Sequence, residues 1–407
     1  MTRSWVPVLL DHKKVTFKTH NGRLSWLRTG LILGLLAASS GWAKKSHFRP
    51  KDRGQNSGQR GGDNCESTLS KIRNEFAAAA PIQERSIESI DSLRIGTYNI
   101  YSVFKNPYAK SAKSPDQVRE MFRIINEEDP DVLFMQEVES LAALERANKE
   151  LLGDRYRVIL NPGSDPIHVA ILIKKDLPFE FKVESQGNRK SSEDLGGGER
   201  LFTRDFPVIK VFPKGQSQAG AAPLMVLMGH HYKSKRDRPG DPQSRRVAAA
   251  QFGATRSIVA ELLERYCQEL PVFLAADFNR DIRSDVEPQV LMDLMKDTLN
   301  LAKETVPADD RVTQTFHPLT GGAVNNQLDA ILATKAMNQL VMSGHIPKYR
   351  NPDGSEKPLP ETFSERSRNP SDHFPVFIRI DFKSMIKHFE ENKDSCVDHA
   401  PANKRAA

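Results

Sequence analysis

Cysteine is scarce in this 407-residue chain, with three in all. That excludes a disulfide-dense scaffold, and neither the spacing nor the neighbours of the three suggest a cysteine metal site. Long apolar runs are missing too: the stretch Leu31–Ala38 is too short for the roughly 20 residues of a membrane span. With 24 Gly and 25 Pro the chain is not collagenous, and with 38% apolar and 27% charged residues it is not disordered as a whole. Enough apolar material remains for one large or two ordinary domains.

Net charge is smaller than the total of +7 suggests. Residues 1–43 hold six of the basic residues and one acid ahead of and around the apolar run. Gly41 and Ala43 are small residues suited to cleavage after Ala43, so 1–43 reads as a secretory signal peptide, with an uncleaved anchor as the alternative. The segment 93–382 holds 39 basic and 40 acidic residues. A polyanion partner would therefore need a local basic patch rather than a global field. In an exported chain a bridge between Cys65 and Cys396 would join the two tails and leave Cys267 as a buried thiol.

Residues 44–92 begin as a stretch rich in Lys, Arg, Gly, Gln and Ser, a flexible linker with a short helix around Ser67–Ala80. From Leu93 onward short apolar runs alternate with helical stretches. Strands are expected at Leu93–Ile100, Asp131–Val138, Tyr156–Leu160, His168–Lys174, Phe179–Glu184, Phe206–Phe212, Leu224–Lys233, Val272–Phe278, Leu328–Ala333 and Phe374–Phe382. Helices are expected from Ser114-Pro115, with Val118, Met121, Phe122 and Ile125 on one face, and at Ser140–Leu152, Ser244–Tyr266 and Pro288–Lys296. Thr313–Asn326 and 345–370 read as loops, and 383–407 as a C-terminal tail. This mixture favours an α/β fold of two sheets packed face to face with helices outside.

Nearly every core strand ends in a residue of catalytic type. Asn99 closes RIGTYNI, Glu137 closes DVLFMQEV, His231 lies in LMGHHYKS, Asp277 and Asn279 close VFLAADFN, Asp329 lies in NQLDAILA, and Asp372-His373 opens SDHFPVFIRI. Any one alone is an ordinary turn-former; together they form a carboxylate, amide and imidazole set of the kind that α/β enzymes carry at strand ends. Two apart on a strand, Asp277 and Asn279 should share a face, and alternation turns His230 away from His231. Oxygen donors such as Glu137, Asp372 and the Asn99 amide suit a hard cation, Mg²⁺ or Ca²⁺, rather than zinc.

These motifs resemble the endonuclease/exonuclease/phosphatase superfamily, which includes deoxyribonucleases, abasic-site endonucleases, neutral sphingomyelinases and inositol polyphosphate phosphatases. The resemblance covers about 93–382 and rests on six motifs in order; Ala276 stands where the family usually has Gly before the Asp. It implies a four-layer α/β sandwich of two mixed sheets and divalent-metal-dependent cleavage of phosphate esters, with Mg²⁺, Mn²⁺ or Ca²⁺ as cofactor. Asn99 and Glu137 would hold the ion with Asp372 close by. His231 would bind the scissile phosphate, Asp277 and Asn279 would position the water and stabilise the transition state, and Asp329 would orient His373. Which of Asp277 and His373 takes the water's proton stays open.

After His231 the loop KSKRDRPGDPQSRR supplies a basic patch. Lys233, Lys235, Arg236 and Arg245 are the expected contacts to a polyanion backbone, while Arg200 and Arg204 are expected in surface salt bridges. The loop also resembles that of secreted bacterial nucleases of the superfamily. A nuclease acting on DNA with little sequence preference is therefore expected, with a sphingomyelinase-like phospholipase C or a small-molecule phosphatase as the alternative. No exposed apolar hairpin is evident from the residues, a catalytically dead binding module is disfavoured by the complete polar set, and no obligate protein partner is implied.

Overall fold

The computed structural model describes residues 66–76, 81–108, 111–160, 162–195, 197–218, 220–318 and 320–392. The expected signal peptide lies outside them, as do Cys65 and Cys396.

In chain order the strands are β1 (Ser92–Asn99), β2 (Val132–Val138), β3 (Tyr156–Leu160), β4 (His168–Lys174), β5 (Phe179–Ser185), β6 (Pro207–Pro213) and β7 (Met225–His231). They continue with β8 (Val272–Asp277), β9 (Met295–Asp297), β10 (Gln314–Phe316), β11 (Val324–Asn326), β12 (Asp329–Thr334), β13 (Val341–His345) and β14 (Val376–Asp381). The longer helices are α1 (Pro115–Glu128), α2 (Leu141–Leu151), α3 (Arg245–Arg265) and α4 (Phe382–Asn392). One six-stranded sheet runs β13-β14-β1-β2-β4-β3 and the other β5-β6-β7-β8-β12-β9. Each is mixed: β1 with β2 and β7 with β8 pair in parallel, and their other neighbours are antiparallel.

Strand alternation sorts the apolar residues into three cores. Ile95, Phe134, Ile171, Leu227, Phe273 and Ile331 fill the space between the sheets. Leu133, Met135 and Leu172 point the other way, to Val118, Met121, Phe122 and Leu144 of α1 and α2. On the far side Val226, Met228 and Leu274 receive Phe252, Val259 and Leu262 of α3. The result is helix, sheet, sheet, helix: a four-layer sandwich. Two glycines make room for neighbouring rings, Gly229 between the sheets and Gly96 within its own sheet on the helix-facing side. A Cβ on Gly229 would meet the Phe134 ring at 2.3 Å, and one on Gly96 would meet Phe377 at 2.5 Å.

Local chemistry starts the helices. Ser114 forms a capping box with Gln117, Pro115 occupies the first turn, and the predicted face of α1 is buried. Ser140 caps α2 through the Ala143 amide. Ser244, expected as the first residue of α3, sits just before it at φ +50°, and the Asp241 carboxylate accepts the amides of Arg246 and Val247.

Four expectations are corrected. Pro288–Lys296 is a 3-10 turn, Glu287–Leu291, followed by β9, where the buried, exposed, buried sequence of Met295, Lys296 and Asp297 follows the strand period. Thr313–Asn326 contains the hairpin β10–β11. The short helix expected around Ser67–Ala80 is present from Glu66, but 44–92 is not all linker, since Leu69 and Ile72 are buried in the α1 and α2 core and Arg85 pairs with Asp131 at 2.6 Å. The tail begins as α4, which buries Phe382 and Met385. Among the described residues no helix is long and apolar enough to cross a membrane.

Candidate active site

Gly229 and His231, Ala275 and Asp277, and Asp329 and Ile331 each share a strand face by the period of two, the face that lines the space between the sheets. The polar strand ends therefore point inward. Register sets three of them in a row: His231 is the parallel partner of Asp277, and Asp277 the antiparallel partner of Asp329. Asn99 reaches across from the other sheet, its Nδ2 donating to Asp277 Oδ2 at 2.8 Å.

Glu137 arrives by another route. Alternation along β2 would send it toward the helices, but the register with β4 shifts between Met135 and Val138 and Glu137 takes φ +62°. This bulge re-aims its carboxylate into the site, where Oε1 accepts from Asn99 Nδ2 at 3.3 Å and Oε2 from Asn106 Nδ2 at 3.0 Å. Asn279 lies beyond the end of β8 at φ +49°; its amide N–H donates to Asp277 Oδ1 at 2.8 Å and its Nδ2 to Asp277 Oδ2 at 3.2 Å. Asp277 thus accepts bonds on both oxygens, and His231 Nε2 stands 3.3 Å from Oδ2.

His373 precedes β14 and is held at three points. Its amide donates to Ser371 Oγ at 3.1 Å, its backbone bridges Gln314, and its carbonyl accepts from the Tyr349 hydroxyl, which also meets the Tyr98 hydroxyl at 2.9 Å. Its Nδ1 lies 2.7 Å from Asp329 Oδ2, which leaves Nε2 as the nitrogen able to exchange a proton with substrate. Asp329 and His373 form a carboxylate–imidazole pair at the foot of the site.

Burial and charge spread the proton affinities. Burial pushes Asp277 up to about 6, with the His373 charge opposing. Burial also drives His231 well below its ordinary value, and the Arg204 charge adds to this, so its ring is neutral at neutral pH. For His373 burial pulls downward, but the carboxylates of Asp329, Asp277 and Asp372 outweigh it and hold the ring well above its ordinary value. His230 points the opposite way, stacked on Phe206 with Nδ1 2.9 Å from the Asp205 carbonyl, and burial lowers it to about 3.

The donor set fits a hard divalent cation. Glu137 is raised by burial and then by the neighbouring Asp372 carboxylate, with the buried Lys113 ammonium and Arg366 as cations near Asp372. Two neighbouring carboxylates beside the Asn99 amide are the oxygen donors that a hard divalent cation takes. One ligand atom each of Asp277, Asp329 and His373 also lie within 4.8 Å of one another, but the bond between His373 and Asp329 already occupies that pair.

The basic loop divides. Lys233 and Arg236 line a concavity of about 530 Å³, together with Arg200 and Arg238 and the acids Asp165, Glu199 and Asp237. Lys235 turns away to Asp285 at 2.7 Å, and Arg245 projects outward toward Glu287, with 67% of its side chain exposed, so neither belongs to the lining expected of it. Arg204 is buried rather than superficial, donating to the Tyr232 carbonyl at 3.0 Å and to Asp165 at 3.2 Å. Asn106, Tyr349 and Gln314 support the site without any signal in the sequence. The hairpin β10–β11 exposes Phe316 and Val324, and Phe363 is exposed as well, contrary to the expectation that no apolar hairpin is present.

Solved structures that resemble the chain include truncated TDP2 of Caenorhabditis elegans, with 16% identity, a TM-score of 0.47, and coverage of 71% of this chain and 98% of that one. A mannosyl-6-phosphatase of Bacteroides thetaiotaomicron has 16% identity, a TM-score of 0.47 and coverage of 70% and 98%. TDP2 of D. rerio complexed with single strand DNA product has 15% identity, a TM-score of 0.48 and coverage of 71% and 99%. No curated protein matches. The sequence pattern of the Endonuclease/Exonuclease/phosphatase family matches residues 96–373. Members of that family are divalent-metal-dependent hydrolases of phosphate esters. By this match the chain belongs to the endonuclease/exonuclease/phosphatase family.

Proposed function

We propose that the protein is an exported, Mg²⁺-dependent phosphodiesterase that hydrolyses DNA with little sequence preference. The observation that carries this reading is the row His231, Asp277, Asp329 with His373 and Glu137, and the basic residues of the loop that follows His231 support a polyanion substrate. Glu137, Asp372 and the Asn99 amide would hold the metal, which supplies charge neutralisation at the phosphoryl oxygen.

At neutral pH Asp277, at about 6, is ionised, and His373 is protonated against Asp329. Asp277 is therefore the group free to take a water's proton, with Asn279 fixing its orientation. The His373 imidazolium and the neutral His231 are placed to donate to phosphate oxygens. Water's oxygen bonds to phosphorus, the ester oxygen leaves with its electron pair, and a proton restores it to an alcohol.

Purified protein incubated with plasmid DNA, RNA and sphingomyelin in Mg²⁺, Mn²⁺ or EDTA tests the reading, alongside Glu137→Ala and His373→Ala. DNA cleavage that is lost in EDTA and in both variants is expected; full activity in both variants would overturn the site. The exposed Phe316, Val324 and Phe363 favour a second reading, a phospholipase C acting at a lipid surface, and cleavage of sphingomyelin alone would promote it. Export is supported by the disulfide that Cys267 makes. N-terminal sequencing of secreted protein should begin at Lys44; an intact Met1 would contradict cleavage.

A further inference from the structure

The loop after β1 folds back onto the end of β2. The Glu139 carboxylate accepts the amides of Val103 at 2.7 Å and of Phe104 at 2.8 Å, and the Tyr108 hydroxyl ties the far end of the loop to Asp165 at 2.7 Å. Between these anchors lies Asn106, 2% exposed. Its Oδ1 accepts the Tyr108 amide at 2.9 Å. That bond fixes which end of the side-chain amide points where, because a backbone N–H requires an acceptor. The Nδ2 end is therefore the one that meets Glu137, and it donates to Oε2 at 3.0 Å. The other oxygen, Oε1, faces the site: Asn99 Nδ2 donates to it at the longer distance of 3.3 Å, and His231 Nε2 stands 3.8 Å away. Glu137 thus has one oxygen committed to the loop and one turned to the chemistry.

We propose that Asn106 is a positioning residue that makes Glu137 a one-oxygen ligand and so biases the site toward Mg²⁺ over Ca²⁺. The proposal rests on the metal-dependent reading and deepens it, assigning the ion preference to a residue that lies outside the six sequence motifs. The two ions differ in what they take from a carboxylate. Ca²⁺ gathers about six to eight oxygens and readily spans both oxygens of one carboxylate, whereas the smaller Mg²⁺ keeps several of its waters and takes few protein ligands. A hydrogen bond on Oε2 withholds the second oxygen, which costs Ca²⁺ a ligand and Mg²⁺ none. The same bond holds Oε1 in place, as the partners behind a metal-ligating carboxylate do. Removing the amide frees Oε2 and loosens Oε1, so the affinities for the two ions should move apart.

Calorimetric titration of the full chain, freed of metal, with MgCl₂ and with CaCl₂ tests this without turnover, in wild type, Asn106→Ala, Asn106→Asp, Tyr108→Phe and Glu137→Gln. In Asn106→Ala Mg²⁺ should bind about tenfold more weakly while Ca²⁺ binds as tightly or more so, a shift of about tenfold in the ratio of the two affinities. Asn106→Asp also lacks the donor but keeps the size of the side chain; it should shift the ratio the same way, and it decides the matter if the alanine variant does not fold. An unchanged ratio in a folded Asn106 variant overturns the proposal. Tyr108→Phe releases the loop from Asp165 but leaves Asn106 on Glu137, and should keep the wild-type ratio. An equal shift there would assign the preference to the loop as a whole and overturn the role of the bond. If neither ion binds wild type, or if Glu137→Gln binds both as wild type does, the metal site is misplaced and both readings fall. If Glu137→Gln weakens both ions while the Asn106 variants keep the wild-type ratio, the ion preference alone fails.

Discussion

The side-chain amide of Asn99 on one sheet donates to the carboxylate of Asp277 on the other across 2.8 Å, a buried bond that ties the two sheets together inside the site. Its second contact, to Glu137 at 3.3 Å, makes Asn99 the joint between the carboxylate proposed for the metal and the one proposed for the water. Asn99→Leu keeps the shape and removes the donor. Stability should fall by about 1–3 kcal/mol and kcat by about 100-fold, measured by urea unfolding and by turnover of a phosphodiester; full turnover would show that the joint is only structural.

His230 sets an acid limit on the fold. Unfolded, a histidine takes up its proton near 6.5, whereas His230 in the fold resists until about 3. Between those values the unfolded chain binds the extra proton, so this part of the stability is present above about 6.5 and is lost as pH falls. The loss should reach about 3 kcal/mol between pH 7 and pH 4. Urea unfolding across that range should show a flatter dependence for His230→Asn; an identical dependence would remove His230 from the account.

Gly229→Ala should cost about 1–3 kcal/mol by overpacking, because the new methyl meets the Phe134 ring. Phe134→Leu, which clears that space, should recover part of the loss when combined with it. Thermal melts of the two single variants and the double variant decide this; simple additivity would count against the contact.

Cys267 is disulfide-bonded, in contrast to the free thiol expected from its place between the other two cysteines. Reductant should lower unfolding stability by about 2–4 kcal/mol. In Cys267→Ser that sensitivity should vanish, as urea melts with and without dithiothreitol would report.

The layers and most strands were legible because buried strands and amphipathic helices leave simple periods, as α1 and β2 do. The strand-end residues were legible because His231, Asp277 and Asp329 lie at the ends of such periods. Glu137 follows a different rule: a bulge, which leaves no period, turns it inward. Asn106 and Tyr349 meet the site only through the fold, Tyr349 from far along the chain, and no local pattern announces them. With the basic loop, charge is visible in the sequence but its partners are not. Asp285 captures Lys235, while among the described residues Arg238 makes no ion pair.

Gly229 lies two residues before His231, and its partner Phe134 three before Glu137, so a tight contact between the sheets stands close behind the chemistry. His231 and Glu137, 3.8 Å apart, stand on the strands that this contact holds together. A missing side chain acts as a gauge block: a single methyl there would widen the jaws that grip a phosphate without altering any group that touches it.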